Sequence, residues 1–274
     1  MIKQDDLNTR YQKFKKLKSI LKNLGSVVVA YSGGVDSSFL LKVAKDVLGK
    51  ENVLAVTAYS EIYPKNDYKY AKALADKLGV NHFIIHTEEL KNSNFRRNSP
   101  VRCFYCKFGL FKKLNSLCRE KGYNRVVDGT NYEDRFDYRP GAKARKIWNV
   151  LSPLEKAGLK KNEIRLLAKG LDLSNWNKPA QACLASRFSY GTEITPEKLK
   201  MVESAEDFLR KKGFQQIRVR LHQDITRIEV GKDEISKFFY GEILMFKIIR
   251  KFKNLGFKYI TLDLEGYRKG SLNP

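Results

Sequence analysis

The chain has 274 residues, 42% of them hydrophobic, and 53 lysines and arginines stand against 30 acidic residues for a formal net charge of +23 at pH 7. That length suits one large or two modest globular domains, and the composition excludes a collagen-like or disordered chain. The charge calls for a polyanionic partner, a phosphorylated substrate or merely a basic cytosolic surface. It is uneven: residues 191–274 hold 17 basic and 12 acidic side chains, net +5, leaving 36 and 18, net +18, for residues 1–190. Anions are expected on the first segment, where Arg10 to Lys22 and Lys91 to Arg125 are nearly free of acids.

Asp5 and Asp6 stand where a signal peptide would be positive, no apolar core follows, and no run approaches the roughly 18 apolar residues of a membrane span. A cytoplasmic protein with no membrane partner is expected. Its four cysteines then read as ligands or reactive thiols rather than disulfides.

Apolar residues at helical spacing from Leu7 to Leu24 predict a helix ending at Gly25. Val27 to Tyr31 is an uninterrupted apolar run, as in a parallel strand buried on both faces. The small residues Ser32 to Ser38 follow, and helical spacing resumes from Phe39 to Leu48. The alternation continues with a strand at Val53 to Ala58, a helix at Asn66 to Leu78, a strand at Asn81 to Ile85, a helix at Cys106 to Lys121 and a strand at Arg125 to Val127. Residues 153–170 predict one more helix, and 175–191 an irregular boundary or active-site loop. This order implies an α/β domain, a doubly wound parallel sheet, over 1–190, with ligands beyond the carboxyl ends of its strands.

From Thr195 the pattern changes. A helix capped by Thr195 and Pro196 is expected to Lys212, then strands at Gln216 to His222 and Ile225 to Val230, a helix at Asp233 to Leu255 and a strand at Phe257 to Leu264. Residues 191–274 are therefore expected to form a smaller α+β domain for substrate binding or oligomerisation. Arg218, Arg220 and His222 share one face of its first strand.

The string SGGVDSS, Ser32 to Ser38, places unhindered backbone N–H groups and hydroxyls between a buried strand and a helix start, where an anion is favoured. It fits neither the Walker loop nor the dinucleotide turn, and it resembles the PP-loop of ATP pyrophosphatases. That resemblance implies an adenine nucleotide alpha hydrolase-like fold, ATP and pyrophosphate held by Ser32, Gly33, Gly34, Asp36, Ser37 and Ser38, and magnesium supported by Asp36. Cutting ATP at the α-phosphate converts a carboxylate into an adenylate, from which a nucleophile displaces AMP.

Cys103 and Cys106 form a C-x-x-C pair, and Cys183 lies in the later loop. Three thiolates can hold a 4Fe-4S cluster with one iron open, whereas a closed zinc site usually has four protein ligands. Cys118 falls on the apolar period of its helix and reads as a core thiol. Arg102 and Lys107 would lower the thiol pKa in either a ligand or a redox role.

Together with Asp128-Gly129-Thr130-Asn131, Asp137 to Gly141, CLASRFSYGTEIT from Cys183 to Thr195 and Arg218 to Glu229, these motifs make the chain similar to the LarE family from about residue 5 onward. These are ATP-dependent sulfur transferases of nickel-pincer nucleotide biosynthesis. The resemblance implies adenylation of a carboxylate of pyridinium-3,5-dicarboxylic acid mononucleotide and its conversion to a thiocarboxylate. It implies a nucleotide contact at Gly129, phosphate contacts from Arg187, Arg218 and Arg220, and catalytic roles for Cys183 and Asp36. The three-cysteine pattern implies a 4Fe-4S cluster on Cys103, Cys106 and Cys183, recharged by an external sulfide or sulfur donor, rather than sacrifice of Cys183. A homo-oligomer is expected, with the Phe238 to Ile248 stripe as core or subunit contact. Where members commonly carry a glutamate, this chain has Ile147. The rival readings are a tRNA thiolase, which a net +18 segment would suit, and a non-enzymatic basic nucleic-acid-binding module.

Overall fold

The computed structural model describes residues 4–179, 182–240, 242–268 and 270–272. The chain forms two compact units, Met1–Thr87 with Cys103–Gln181, and Glu88–Arg102 with Ala182–Pro274. Relative to the division expected at residue 190, segments 88–102 and 182–190 group with the C-terminal residues because they bond to one another. Asn98 donates its carboxamide to Ser189 O at 2.8 Å, Gly191 N donates to Asn98 O at 3.1 Å, and Ile194 N to Arg96 O at 2.9 Å. Buried Arg102 donates to Asn98 Oδ1 at 2.7 Å and lies over the Tyr190 ring.

In chain order the first unit and the excursion comprise α1 (Gln4–Leu24), β1 (Val27–Ala30), α2 (Val35–Leu48), β2 (Val53–Tyr59), α3 (Lys65–Leu78), β3 (Asn81–His86), the single turn α4 (Ser93–Arg96), α5 (Arg102–Glu120) and β4 (Arg125–Asp128). The short helices α6 (Gly141–Ile147) and α7 (Pro153–Lys156) and then α8 (Lys161–Gly170) complete it. The sheet is parallel, in the order β3-β2-β1-β4, with Val28 paired to both Leu54 and Val126. Val27 and Val29 enter one core with Leu17, Leu21, Phe39 and Leu40, while Val28 enters the other with Phe111 and Leu114. Two covered faces explain the unbroken apolar run of β1. The chain is an α/β protein built on this doubly wound sheet, with a small second sheet.

In the second unit, Thr195 Oγ1 accepts from Lys198 N at 3.3 Å to cap α9 (Pro196–Lys211). The hairpin β5 (Ile217–His222) and β6 (Ile225–Val230) is antiparallel, and β7 (Tyr259–Leu262) joins β6 in parallel. The last helix is α10 (Glu242–Asn254).

Three elements depart from expectation. α5 starts at Arg102 rather than Cys106, because the turn closed by Arg102 N to Ser99 O at 2.9 Å feeds directly into it. The helix expected over 153–170 is two, parted at Gly158, whose φ of 76° breaks the right-handed path. Residues 232–238 form a 3₁₀ turn, in which Glu234 folds back to accept from Gln215 N at 3.0 Å and Gln216 N at 3.1 Å. Ala180 and Gln181 of the expected loop, and Gly241 of the expected last helix, lie outside the described residues.

Candidate active site

The loop between β1 and α2 is held by its own hydroxyls. Ser37 Oγ donates to Gly34 O at 3.2 Å, lies 3.1 Å from Ser32 Oγ and accepts from Ser32 N at 3.3 Å. Gly33 has φ 70°, and a Cβ there would lie 2.8 Å from Ala71 Cβ. Gly34 caps α2 with no side-chain hydrogen bond, so the cap residue satisfies none of the helix's first N–H groups through a side chain, an arrangement that suits an anion. From below, Asn175, 1% exposed, donates to Gly33 O at 3.1 Å and to Ser38 Oγ at 2.9 Å.

Asp36, on the first turn of α2, accepts from Lys161 Nζ at 2.7 Å on each carboxylate oxygen and from Asn131 Nδ2 at 3.1 Å. Sequence reasoning missed Lys161 and the loop-bracing role of Asn175. A signal for Lys161 existed, since a lysine opening a helix sits at its positive end, the wrong one for a cation.

Gly129, just past β4, approaches the same turn of α2, and a Cβ on it would stand 2.9 Å from Ser37 N. Asp128 beside it accepts from Ser152 Oγ at 2.6 Å and from Thr130 Oγ1 at 2.9 Å. Burial pushes the Asp134 carboxyl upward, against the lowering influence of Arg139. Asp128, Thr130, Arg139 and Arg145 line a cavity of about 640 Å³ together with Cys103 and Lys107. Gly141, of the Asp137 to Gly141 motif, packs on the first two turns of α5, where its Cβ would meet Lys107 Cγ at 2.9 Å and Cys103 O at 3.4 Å. Ile147 is exposed.

Cys103 and Cys106, neither of them in a disulfide, stand one turn apart on α5, a spacing that sets them on one helix face. Cys106 Sγ is 3.9 Å from Tyr63 OH. Cys118 is buried and donates to Tyr123 O at 3.1 Å, and burial raises its pKa, as suits a core thiol. Among the described residues, no three or more His, Cys, Asp and Glu side chains are gathered to hold a metal ion. The C-x-x-C pair fits two thiolate ligands, and Cys183 lies in the second unit.

There, Cys183 precedes a 3₁₀ turn, Leu184–Arg187, and its carbonyl accepts from Ser186 Oγ at 2.8 Å and Arg187 Nη1 at 3.2 Å. Arg187, expected to meet a substrate phosphate, is 0% exposed. Its other donors reach Ala182 O at 2.8 Å and Glu206 at 2.8 and 2.9 Å. Its guanidinium is therefore committed to the fold. Glu206 also accepts from Val219 N at 3.0 Å. Burial raises its pKa, but the pairing with Arg187 outweighs burial and leaves the carboxyl below its ordinary value.

Arg220 donates to Ser186 O at 2.7 Å and to Glu229 at 3.0 Å, with its Nε buried and unpartnered. Arg218 is buried over the Tyr267 ring. Arg227 pairs with Glu229 at 3.0 Å. Burial lowers the pKa of His222, assisted by Arg227 and Arg220, and burial also lowers that of His82, which contacts Thr57 Oγ1 at 2.8 Å.

A glycine-serine loop opening a helix at the carboxyl end of the central parallel strand, with an aspartate in the first turn, defines a PP-loop nucleotide-binding protein. The NAD synthase family matches residues 11–103. The pyridinium-3,5-bisthiocarboxylic acid mononucleotide synthase of Lactiplantibacillus plantarum is 41% identical over 259 residues, covering 94% of this chain and 92% of that protein. An uncharacterized Synechocystis protein is 43% identical over 261 residues, 95% of this chain and 97% of the relative. A tRNA-specific 2-thiouridylase of Paramagnetospirillum magneticum is 31% identical over 155 residues, 46% of this chain and 39% of that enzyme. The chain belongs to the LarE family of sulfur-transferring enzymes within the PP-loop superfamily. No helix among the described residues is long and apolar enough to cross a membrane.

Proposed function

We propose that this enzyme adenylates a carboxylate of pyridinium-3,5-dicarboxylic acid mononucleotide with ATP and converts it to a thiocarboxylate, a step of nickel-pincer nucleotide biosynthesis in the cytoplasm. The reading is carried by a complete glycine-serine loop with Asp36 in a chain 41% identical, over 94% of its length, to a synthase named for that product. The substrate carboxylate attacks the α-phosphorus, the bond to the β-phosphate breaks, and pyrophosphate leaves into the cradle of Ser32, Gly33, Gly34, Ser37 and Ser38. A sulfur nucleophile then attacks the acyl carbon and AMP leaves.

Asp36 would hold magnesium, which neutralises the phosphate chain. Gly129, pressed against the same turn, contributes its backbone to the nucleotide site. Arg218 and Arg220 are the substrate-phosphate contacts in this reading, and the unpartnered Arg220 Nε supports it. Arg187 acts instead by fixing the Cys183 carbonyl.

Cys103, Cys106 and Cys183 would ligate a 4Fe-4S cluster. When bound, such a cluster supplies an open iron able to carry sulfur from an external sulfide or sulfur donor. A homo-oligomer is consistent with the exposed Phe239, Ile243 and Phe246 around α10.

The test is anaerobic turnover with ATP, magnesium, the dicarboxylate mononucleotide and sulfide. We expect pyrophosphate, a thiocarboxylate product and an intact Cys183 thiol by peptide mass spectrometry. Loss of sulfur from Cys183 means a sacrificial route, and no pyrophosphate with this substrate refutes the reading. A tRNA thiolase is the second reading, favoured by the 2-thiouridylase match, and thiolated tRNA in the same assay would establish it.

A further inference from the structure

The carboxylate expected to receive magnesium already has a cation. Lys161 Nζ lies 2.7 Å from both oxygens of Asp36, with the lysine side chain 34% exposed and the aspartate 16%. The main chain carrying that lysine is pinned on both sides. Lys161 N donates to Glu133 Oε2 at 2.7 Å, and Lys160 N to Glu163 Oε2 at 2.8 Å, while Glu163 also accepts from Lys13 at 2.8 Å. The flexible four-carbon stem is free to swing while its anchor stays put. At the first position of α8 the helix dipole repels a cation, so the ammonium depends on Asp36 for compensation.

An ammonium bridging both oxygens and a divalent ion bound to the same carboxylate would stand a few ångströms apart as like charges, and the two exclude each other. An ATP phosphate chain in the cradle of α2 offers the ammonium a stronger anionic partner close by.

We infer that Lys161 is a built-in counter-cation that closes Asp36 to divalent metal until ATP arrives, whereupon the ammonium moves to the phosphates and the metal takes its place. This rests on the ATP-cleaving reading above. It adds an order to it, with metal entering together with nucleotide, and gives Lys161 a phosphate contact in the loaded state.

The probe is Mn²⁺, followed by electron paramagnetic resonance with and without α,β-methylene ATP, which cannot be cleaved at the reacting bond. Without nucleotide, Lys161→Met should bind Mn²⁺ roughly tenfold more tightly than wild type, the scale of removing one like charge at short range. The gain should vanish in Asp36→Ala/Lys161→Met, and Lys161→Arg should stay as weak as wild type. With the analogue present, wild type should bind Mn²⁺ tightly, and Lys161→Met should bind the analogue more weakly. Lys161→Gln serves as the second uncharged variant should the methionine disturb folding. Equal Mn²⁺ affinity in wild type and the uncharged variants, with the analogue still bound by wild type, overturns the inference and leaves the ATP reading standing. Failure of wild type to bind the analogue with Mn²⁺ overturns both.

Discussion

Gly129 and Ser37 meet so closely that a methyl group on the glycine would stand 2.9 Å from the serine's backbone nitrogen and 3.0 Å from its Cα. Both opposing atoms are main chain in the first turn of α2, so neither can rotate aside. Gly129→Ala is expected to displace the anion cradle, lose stability by about 1–3 kcal/mol and raise the KM for ATP. Denaturant unfolding and nucleotide binding measure the two effects. Gly109→Ala is the contrast, because that helical glycine on α5 has open space around its Cβ. It should gain about 0.5–1 kcal/mol, the helix-propensity difference.

Asp36→Ala should abolish pyrophosphate release in a coupled assay while leaving the fold intact. The residue is only partly buried, and its main partner Lys161 has a side chain 34% exposed and able to reach water. Unchanged release would remove Asp36 from the chemistry.

Glu206 compensates the fully buried Arg187 and also receives Val219 N. Breaking such a pair from one side leaves a buried charge, and Glu206→Ala should cost about 3–5 kcal/mol. Arg210→Ala, which removes a partly exposed second partner of the same carboxylate, should cost about 1 kcal/mol or less. The alkylation rate of Cys183 should change with Glu206→Ala and not with Arg210→Ala, since only the former frees the arginine that holds its carbonyl. Equal rates in all three proteins would argue against that link.

Acid should destabilise the protein in two stages. Burial holds His82 and His222 below their ordinary values, so the unfolded chain binds more protons than the folded one as pH drops below about 6.5. Their contribution is complete above that pH and declines beneath it. Burial raises the Glu206 and Glu234 carboxyls, but Arg187 and Lys237 respectively outweigh it, together with backbone donors. The stability these groups provide is present above about pH 4.3 and is lost as pH falls through their lowered folded values. Melting temperatures from pH 8 to pH 3 test this, and a rise in Tm between pH 7 and pH 5.5 would contradict the histidine stage.

After anaerobic reconstitution, Cys103→Ala, Cys106→Ala and Cys183→Ala should each lose most of the iron, which in wild type approaches about four per chain. Cys118→Ala should keep it, because that thiol is buried against Tyr123 O. Elemental analysis decides the matter. Full iron in Cys103→Ala would remove that thiol from the ligand set, and full multiple-turnover activity in both Cys103→Ala and Cys106→Ala would exclude the cluster route.

The strand-loop-helix of Val27 to Leu48 was legible because both its signals are local: an apolar run covered on two faces, and small residues where an anion must approach backbone. The core place of Cys118 followed from helical periodicity in the same way. The pairing of Arg187 with Glu206 was not legible, because the partner is distant in sequence and nothing local announces it. Lys161 and Asn175 were hidden for the same reason, as their roles consist of bonds to Asp36, Gly33 and Ser38 more than 120 residues away. The split of residues 153–170 escaped because a lone glycine in a helical pattern is often tolerated, and only its φ shows the break.

The excursion 88–102, bonded to 182–194 through Asn98 and Arg96, makes the second unit discontinuous along the chain. On the ribosome those fifteen or so residues emerge about 80 residues before their partners, some seconds ahead at ordinary synthesis rates. The first unit must therefore fold around an unfinished strap, and the second can close only once residues beyond 182 have left the exit tunnel. Truncation after the sheet domain would strand Asn98 and Arg102 without Ser189 and Tyr190, so a clean first unit requires the excursion to be replaced by a short linker as well.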